Sequence, residues 1–278
     1  MAASILPVRK NAHLCSGGCS VGSSGRPPDK LELSVPARKA KNSYQQDKKK
    51  QCKEKKVGTI EQVKEKTGTA LKVIAHDDHL VVVDKPSGLL AVPGRGPDRQ
   101  DCVTRRVKRL FADVLDQPAV HRLDMDTSGL MVLALTAETH RYLSQAFAQR
   151  QVEKRYEAIL DGTVDGREGE IVLRFRLDPD NRPQQVYDPV QGKEGITRWC
   201  LLGETAGRSR VLFMPLTGRT HQLRLHASHR QGLGVPIVGD RLYGSPRPGE
   251  RLHLHATFLA FVHPGLNQRV EFHSAAPF

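Results

Sequence analysis

No apolar run in this 278-residue chain approaches the roughly 18 to 20 residues that cross a bilayer, so no membrane span is expected. The amino terminus also lacks the apolar segment of a secretory signal. The expected setting is therefore the compartment that makes or imports the protein, the cytoplasm first. Acidic residues are absent before Asp29, as in organellar transit peptides, but arginines there are few, which leaves import as the minor alternative. Cysteine is scarce: the five, at 15, 19, 52, 102 and 200, are an odd count without regular spacing, which argues against a disulfide framework and for a reducing compartment. Cys15 and Cys19, near His13 and Cys52, lack the tight pair-plus-pair spacing of a zinc site. No self-similarity appears at the period of a solenoid.

What the chain has is lysine and arginine, unevenly placed. The formal net charge is +13, and residues 1–70 hold 15 Lys and Arg against 6 Asp and Glu, so +9 of the excess lies there. A basic excess of this kind favours a polyanionic partner, nucleic acid before membrane, or else serves as a solvated arm. Segments such as "SGGCSVGSSGRPP" and "KKKQCKEKK" bury too little apolar surface to offset the entropy of ordering. Residues 1–70 are accordingly expected to form a basic, disordered extension, with a short helix near 59–66.

A folded domain is expected over residues 71–278. In "LKVIAHDDHLVVVDKPSGLLAVPGRG" the stretch 79–84 reads as a buried strand, broken by Pro86, Ser87 and Gly88. Patterning predicts further strands over 130–136, 155–161, 170–177, 196–203, 209–215 and 252–262, and helices over 100–114, 137–150 and 220–231. Strands outnumber helices, and hairpin-length turns such as "LDGTVDGREGE" and "ETAGRSR" separate many of them. The expected fold class is α+β: a mixed, mainly antiparallel sheet with flanking helices.

"VHRLDMDTSGLMVLAL", residues 120–135, sets Asp124 on a short loop directly ahead of a strand. Thr127 and Ser128 can bond turn backbone, and Gly129 allows a conformation that a side chain forbids. Asp124 is a candidate catalytic carboxylate or a turn cap. A second cluster, "LTGRTHQLRLHASHRQGLGVPIVGDRLYG", spans residues 216–244. Gly218 permits a bend ahead of Arg219, and the helical period then sets Leu223 and Ala227 on one face, with Gln222 and Arg224 elsewhere. If Arg219 meets Asp124, its forked donors hold the carboxylate ionised, lowering its pKa by roughly one to three units. An ionised, oriented Asp is a competent nucleophile or base, and a structural salt bridge is the alternative. His221, His226 and His229 do not stack at i, i+4, and His253 with His255 makes only a pair, so no metal site is expected; these read as core or RNA-facing hydrogen-bonders. Tyr156, on one strand face with Ala158 and Leu160, is either core or a platform for a planar ring.

Taken together these segments resemble the RluA family of RNA pseudouridine synthases, whose signature is HRLD, two variable residues, then TSG. "HRLDMDTSG" is preceded by "DKPSGLLAVPG" and followed by "TGRTHQLRLH" and by "LGVPIVGDRLYG" through "LHLHATFLAFVHP", over about residues 72–278. "SVPGR"-like text and Asn181-Arg182-Pro183 are similar to the dual-specificity branch that acts on large-subunit rRNA and tRNA. No S4 RNA-binding domain is recognised in residues 1–70. The resemblance implies the pseudouridine synthase catalytic fold, isomerisation of uridine in large-subunit rRNA, in tRNA anticodon stem-loops or in both, no cofactor and no metal; the alternative is a non-catalytic RNA-binding or remodelling protein on the same fold, and a monomer is the default. It implies Asp124 as the essential aspartate, Arg219 as its paired arginine and Tyr156 as the aromatic on the target uracil. Arg122, with His121 beside it, would fill the gap left by the flipped base. Candidate backbone contacts are Arg95, Arg99, Arg105, Arg106, Lys108, Arg109 and Arg224, although "RRVKR" also suits a solvated helix face.

Overall fold

Runs of Val, Ile and Leu build ten strands among the described residues, 71–111 and 114–278 of the computed structural model. The strands are β1 Lys72–His76, β2 Leu80–Lys85, β3 Ser128–Ala134, β4 Glu153–Leu160 and β5 Glu168–Leu177. They continue with β6 Gln185–Tyr187, β7 Lys193–Thr205, β8 Arg208–Pro215, β9 Leu254–Val262 and β10 Arg269–His273. The helices are α1 Val103–Leu110, α2 Ala137–Ala148 and α3 Gln222–Ser228, with a single 3-10 turn at Pro97–Arg99. The expectations for residues 1–70, including the short helix and Cys15–Cys19, lie outside the described residues.

One sheet runs in the order β1-β2-β3-β9-β4-β8-β7-β5-β6, with β10 attached to β9. Every pairing is antiparallel except β3 with β9. The expected α+β class, with a mixed, mainly antiparallel sheet, is what forms. Side chains alternate across a strand, which explains the uninterrupted apolar text of β2 and β3. Val81, Val83, Met131 and Leu133 pack with Val103 and Val107 of α1. Leu80, Val82, Leu130 and Val132 pack with Leu143 and Ala146 of α2. By contrast β5 buries Ile171, Leu173 and Phe175 and exposes Val172 and Arg174, the signature of a half-solvated strand.

Three strands, β1, β6 and β10, lack a predicted counterpart. β10 pairs with the half of β9 that β3 leaves free, and β6 has only three residues, with its Gln185 N–H donating 2.7 Å to Tyr243 Oη. α3 stops at Ser228, short of the predicted 231, because the chain turns under it: Leu233 N–H bonds the His226 carbonyl at 3.0 Å. α1 likewise ends at Leu110, where Phe111 is already extended.

The β3–β9 pairing is short, Ser128 with His255 and Gly129 with Ala256. Gly129 has φ +112, and a Cβ there would lie 2.4 Å from the Ala256 carbonyl oxygen, so only glycine lets the strands meet. The loop that carries Asp124 thus enters the middle of the sheet.

Candidate active site

That loop is clamped through its backbone. Lys85, fully buried at the end of β2, donates from Nζ to the carbonyls of Pro86 (3.0 Å), Leu89 (2.7 Å) and Met125 (2.8 Å). An ammonium has three N–H donors, and all three are used. Gly88 N–H reaches the same Met125 carbonyl at 2.9 Å, and Ser87 Oγ donates to the Asp126 carbonyl at 2.8 Å. The "DKPSG" text therefore holds the two residues that follow Asp124. On the other side the His121 ring accepts the Val132 N–H at 3.1 Å and stacks on Phe147 with centroids 4.5 Å apart. Burial, with the nearby charge of Lys154, pushes its pKa down to about 3, so this imidazole is a neutral acceptor.

Asp124 faces a cavity of about 500 Å³, within the range of small-ligand pockets. It is the one acidic residue in the lining, against Arg122, Arg150, Lys154, Arg219 and Arg224. Arg224 Nη1 stands 3.9 Å from Asp124 Oδ2. The same guanidinium is forked onto buried Asp240, Nε to Oδ2 at 2.8 Å and Nη2 to Oδ1 at 2.6 Å. His221, in the left-handed region at φ 55 just ahead of α3, brings Nε2 to 3.9 Å from Asp124 Oδ2. Its Nδ1 lies 3.0 Å from Tyr243 Oη. The same Tyr243 hydroxyl accepts the Gln185 N–H at 2.7 Å, so the His221 ring is tethered through Tyr243 to the start of β6. Burial lowers the His221 pKa and keeps the ring neutral. Tyr156 lines the same cavity from β4, and burial, then the charge of Asp124, push its hydroxyl pKa upward, so it stays protonated.

Asp124 and Tyr156 come together as expected, and Arg122 lines the cavity, exposed, with Nη2 donating to Thr220 Oγ1 at 3.2 Å. Other expectations need correction. Arg219 lines the cavity but does not pair with Asp124; it lies in the turn before α3, exposed, with Nε 3.3 Å from the Glu194 carbonyl. Arg224 makes that pair instead, because α3 is buried all round from Gln222 to Ala227 and turns position 224 between two acids. At 3 % exposure Arg224 is no backbone contact for RNA. Arg106 faces inward as well, its Nε and Nη2 bonding Asp101 at 2.9 and 2.5 Å. His121 braces the loop through Val132 and Phe147 rather than standing free at the surface. Arg95 and Arg105 are exposed and lie outside the cavity lining.

Lys85 and Asp240 fall within quoted motifs but carry no role in the sequence, and His221 reads there only as a core or RNA-facing hydrogen-bonder. Among the described residues no group of three His, Cys, Asp or Glu is arranged to hold a metal ion. None of the described helices is long and apolar enough to cross a membrane.

Residues 79–229 match a family model described as RNA pseudouridylate synthase. Over 212 residues the chain is 42% identical to the dual-specificity RNA pseudouridine synthase RluA of Haemophilus influenzae, covering 75% of this chain and 94% of that protein. Identity to the protein of the same name in Escherichia coli (strain K12) is 41%, with the same coverage. Among solved structures, human RNA pseudouridylate synthase domain containing 1 superposes with a TM-score of 0.61 at 29% identity, covering 77% of this chain and 87% of that one. Human RNA pseudouridylate synthase domain containing 4 gives 0.58 at 26%, covering 74% and 88%. A family match across more than half the chain, and relatives matched along nearly their whole length, establish that this chain belongs to the RluA family of RNA pseudouridine synthases, isomerases that act on RNA.

Proposed function

We propose that Asp124 carries the isomerisation, acting on an everted uridine of large-subunit rRNA and of tRNA anticodon stem-loops. The two RNA classes follow from the family resemblance, and the bacterial relatives are named for a dual specificity. One observation carries the assignment of Asp124: its carboxylate is the one acid in a nucleotide-sized cavity lined by five cations, 3.9 Å from a fixed guanidinium. Breaking the N-glycosidic bond of uridine and rejoining the ring through carbon needs a group that attacks or deprotonates the nucleotide and a surface that holds the free ring. Asp124 is the first, as nucleophile or base. The Tyr156 phenol, kept protonated, stacks on the uracil and donates a hydrogen bond. Extruding a base costs a few kcal/mol of stacking, and exposed Arg122 fills the vacated space. Exposed Arg95, Arg105 and Arg219, with the +9 of residues 1–70, supply salt-sensitive contacts to the RNA backbone. The protein acts as a monomer in the cytoplasm, without cofactor.

The test is an isomerisation assay on rRNA and tRNA transcripts, read by carbodiimide labelling of pseudouridine. Wild-type protein marks discrete loop uridines and leaves RNA length unchanged with or without chelator. Asp124→Asn keeps size and removes charge, so it retains RNA affinity and loses product. Residual activity within about tenfold of the parent would refute the role of Asp124.

A further inference from the structure

Lys154 is an unusual cation among those that line the cavity. It sits on β4 two residues before Tyr156, half-buried, and lines the same cavity. Its Nζ lies over the Phe147 ring, 5.9 Å from the centroid, and 3.9 Å from where a Cβ on Gly218 would be, so the ammonium spans the gap between the end of α2 and the turn that precedes α3. Among the described residues it has neither a hydrogen-bond acceptor nor a carboxylate. The other lining cations differ: Arg122 bonds Thr220, Arg219 bonds Glu194, Arg224 is forked onto Asp240, and Arg150 is exposed.

Burial alone lowers the Lys154 pKa, whereas the charge of Asp124 is felt at Tyr156. Asp124 is therefore not the partner that Lys154 lacks. A half-buried ammonium without a counter-ion is a cost to the free protein that an arriving anion removes. RNA brings such anions, one per nucleotide. Strand geometry puts Lys154 and Tyr156 on one face with Cα atoms about 7 Å apart, and both side chains line the cavity, so a nucleotide whose base lies on Tyr156 brings its backbone to the same wall.

We infer that Lys154 binds a phosphodiester flanking the everted uridine, anchoring the nucleotide by its backbone while Tyr156 and Asp124 hold the ring and the sugar. The inference rests on the isomerase reading of this cavity. It makes Lys154 a substrate-binding residue whose contribution falls in affinity and in salt dependence, since each phosphate contact steepens the fall of log K with log salt by about 0.7 to 0.9.

The experiment uses full-length protein and a synthetic anticodon stem-loop whose loop uridine the wild-type protein converts, prepared also with a neutral methylphosphonate at either phosphate flanking that uridine. Failure of wild type to convert any unmodified RNA would count against the proposed function itself. With conversion in hand, Lys154→Met is expected to weaken binding about tenfold, to flatten the salt dependence by about one contact, and to leave the single-turnover rate at saturating RNA within about threefold. One methylphosphonate weakens wild type to the same degree and costs Lys154→Met nothing more, and Lys154→Arg restores most of the affinity. Parent-like affinity in Lys154→Met, additive losses at both phosphates, or a defect confined to the rate overturns the inference. Thermal unfolding verifies that the variant is folded. If it is not, the wild-type methylphosphonate pair decides alone, and indifference at both phosphates overturns the inference.

Discussion

The Arg224 guanidinium is held by Asp240 in a two-point fork at 2.8 and 2.6 Å, which leaves Nη1 to face Asp124 at 3.9 Å. Asp240 is itself fixed, its Oδ1 also accepting the N–H groups of Leu242 and Tyr243 at 2.9 and 3.1 Å. The charge opposite Asp124 is therefore oriented by a second acid that never lines the cavity. A preoriented donor costs no reorganisation during the reaction, which is why such supporting contacts matter to rate.

Two arginines of one segment should consequently behave differently on substitution. Arg224→Met is expected to lower the single-turnover rate about 100-fold or more and to destabilise the fold by about 3 to 5 kcal/mol, because buried Asp240 loses its partner. Arg224→Lys does not rescue, since a point charge cannot reproduce the fork. Arg219→Met keeps the rate within about threefold and loses RNA affinity that salt also weakens. Single-turnover kinetics below the unfolding temperature of each variant discriminate; a dead Arg219→Met beside an active Arg224→Met reverses the assignment.

Asp124 is legible in sequence because its cue is local, a carboxylate between a His-Arg pair and a Thr-Ser-Gly turn at the head of an apolar strand. Its arginine is not. Whether position 219 or 224 points inward depends on α3 starting at Gln222 and on Asp240, which arrives sixteen residues after Arg224. β2 and β3 announce themselves because burial on both faces demands long apolar runs, and β9 does so although His255 and Thr257 interrupt its run. β6 and β10 are ordered by Phe175–Leu177 and Phe258–Val262; β10 does alternate, with Val270 and Phe272 turned to the core, but three and five residues are short runs for a pattern to stand out. The clamp from Lys85 acts on backbone carbonyls, which every residue type has, and Met125 therefore gives no hint of it.

Lys85 links that clamp to alkaline pH. Burial lowers its pKa from 10.5 to about 8 against the opposing charges of Asp126 and Asp124. Between those values the unfolded chain holds a proton that the folded protein has released, so stability rises with pH across the window, by at most about 3 kcal/mol, and the gain is lost as pH falls through about 8. Denaturant midpoints should climb more steeply from about pH 8 to 10 in wild type than in Lys85→Met, which has nothing there to titrate. Parallel curves would show that Lys85 keeps its proton.

Acid acts through buried histidines. Burial first, then the charge of Lys154 for His121 and of His229 for His226, lower their pKa values to about 3 and about 4. Unfolded, each takes a proton near 6.5, so stability present above that pH is lost as pH falls, at up to about 1.4 kcal/mol per pH unit for each ring. Both ring nitrogens of His226 lack a hydrogen-bond partner among the described residues. His226→Leu should therefore flatten the loss of urea resistance between about pH 7 and pH 5 by close to one proton's worth. An unaltered slope would mean that the imidazole accepts its proton in the folded state.

Gly129 offers a way to separate architecture from chemistry. Its φ of +112 and the 2.4 Å between a hypothetical Cβ and the Ala256 carbonyl mean that Gly129→Ala must push β3 from β9. That movement also strains the chain of hydrogen bonds crossing the same pairing, Ser128 Oγ to His255 Nδ1 at 2.8 Å, His255 Nε2 to Ser274 Oγ at 3.0 Å, and Ser274 Oγ to Asp84 Oδ2 at 2.8 Å. Because Ser274 spends its hydrogen on Asp84, His255 must donate from Nε2 and accept at Nδ1, and Ser128, four residues after Asp124, is the donor. Gly129→Ala is expected to lower stability by about 2 to 4 kcal/mol and to lose turnover with it, whereas Ser274→Ala strands one buried N–H, costs about 1 to 2 kcal/mol, and spares most of the rate. Asp124→Asn should show the opposite profile, near-parental unfolding with no product. Parental stability in Gly129→Ala would mean that the strands tolerate a wider gap and that the approach at Ala256 does not set where Asp124 stands.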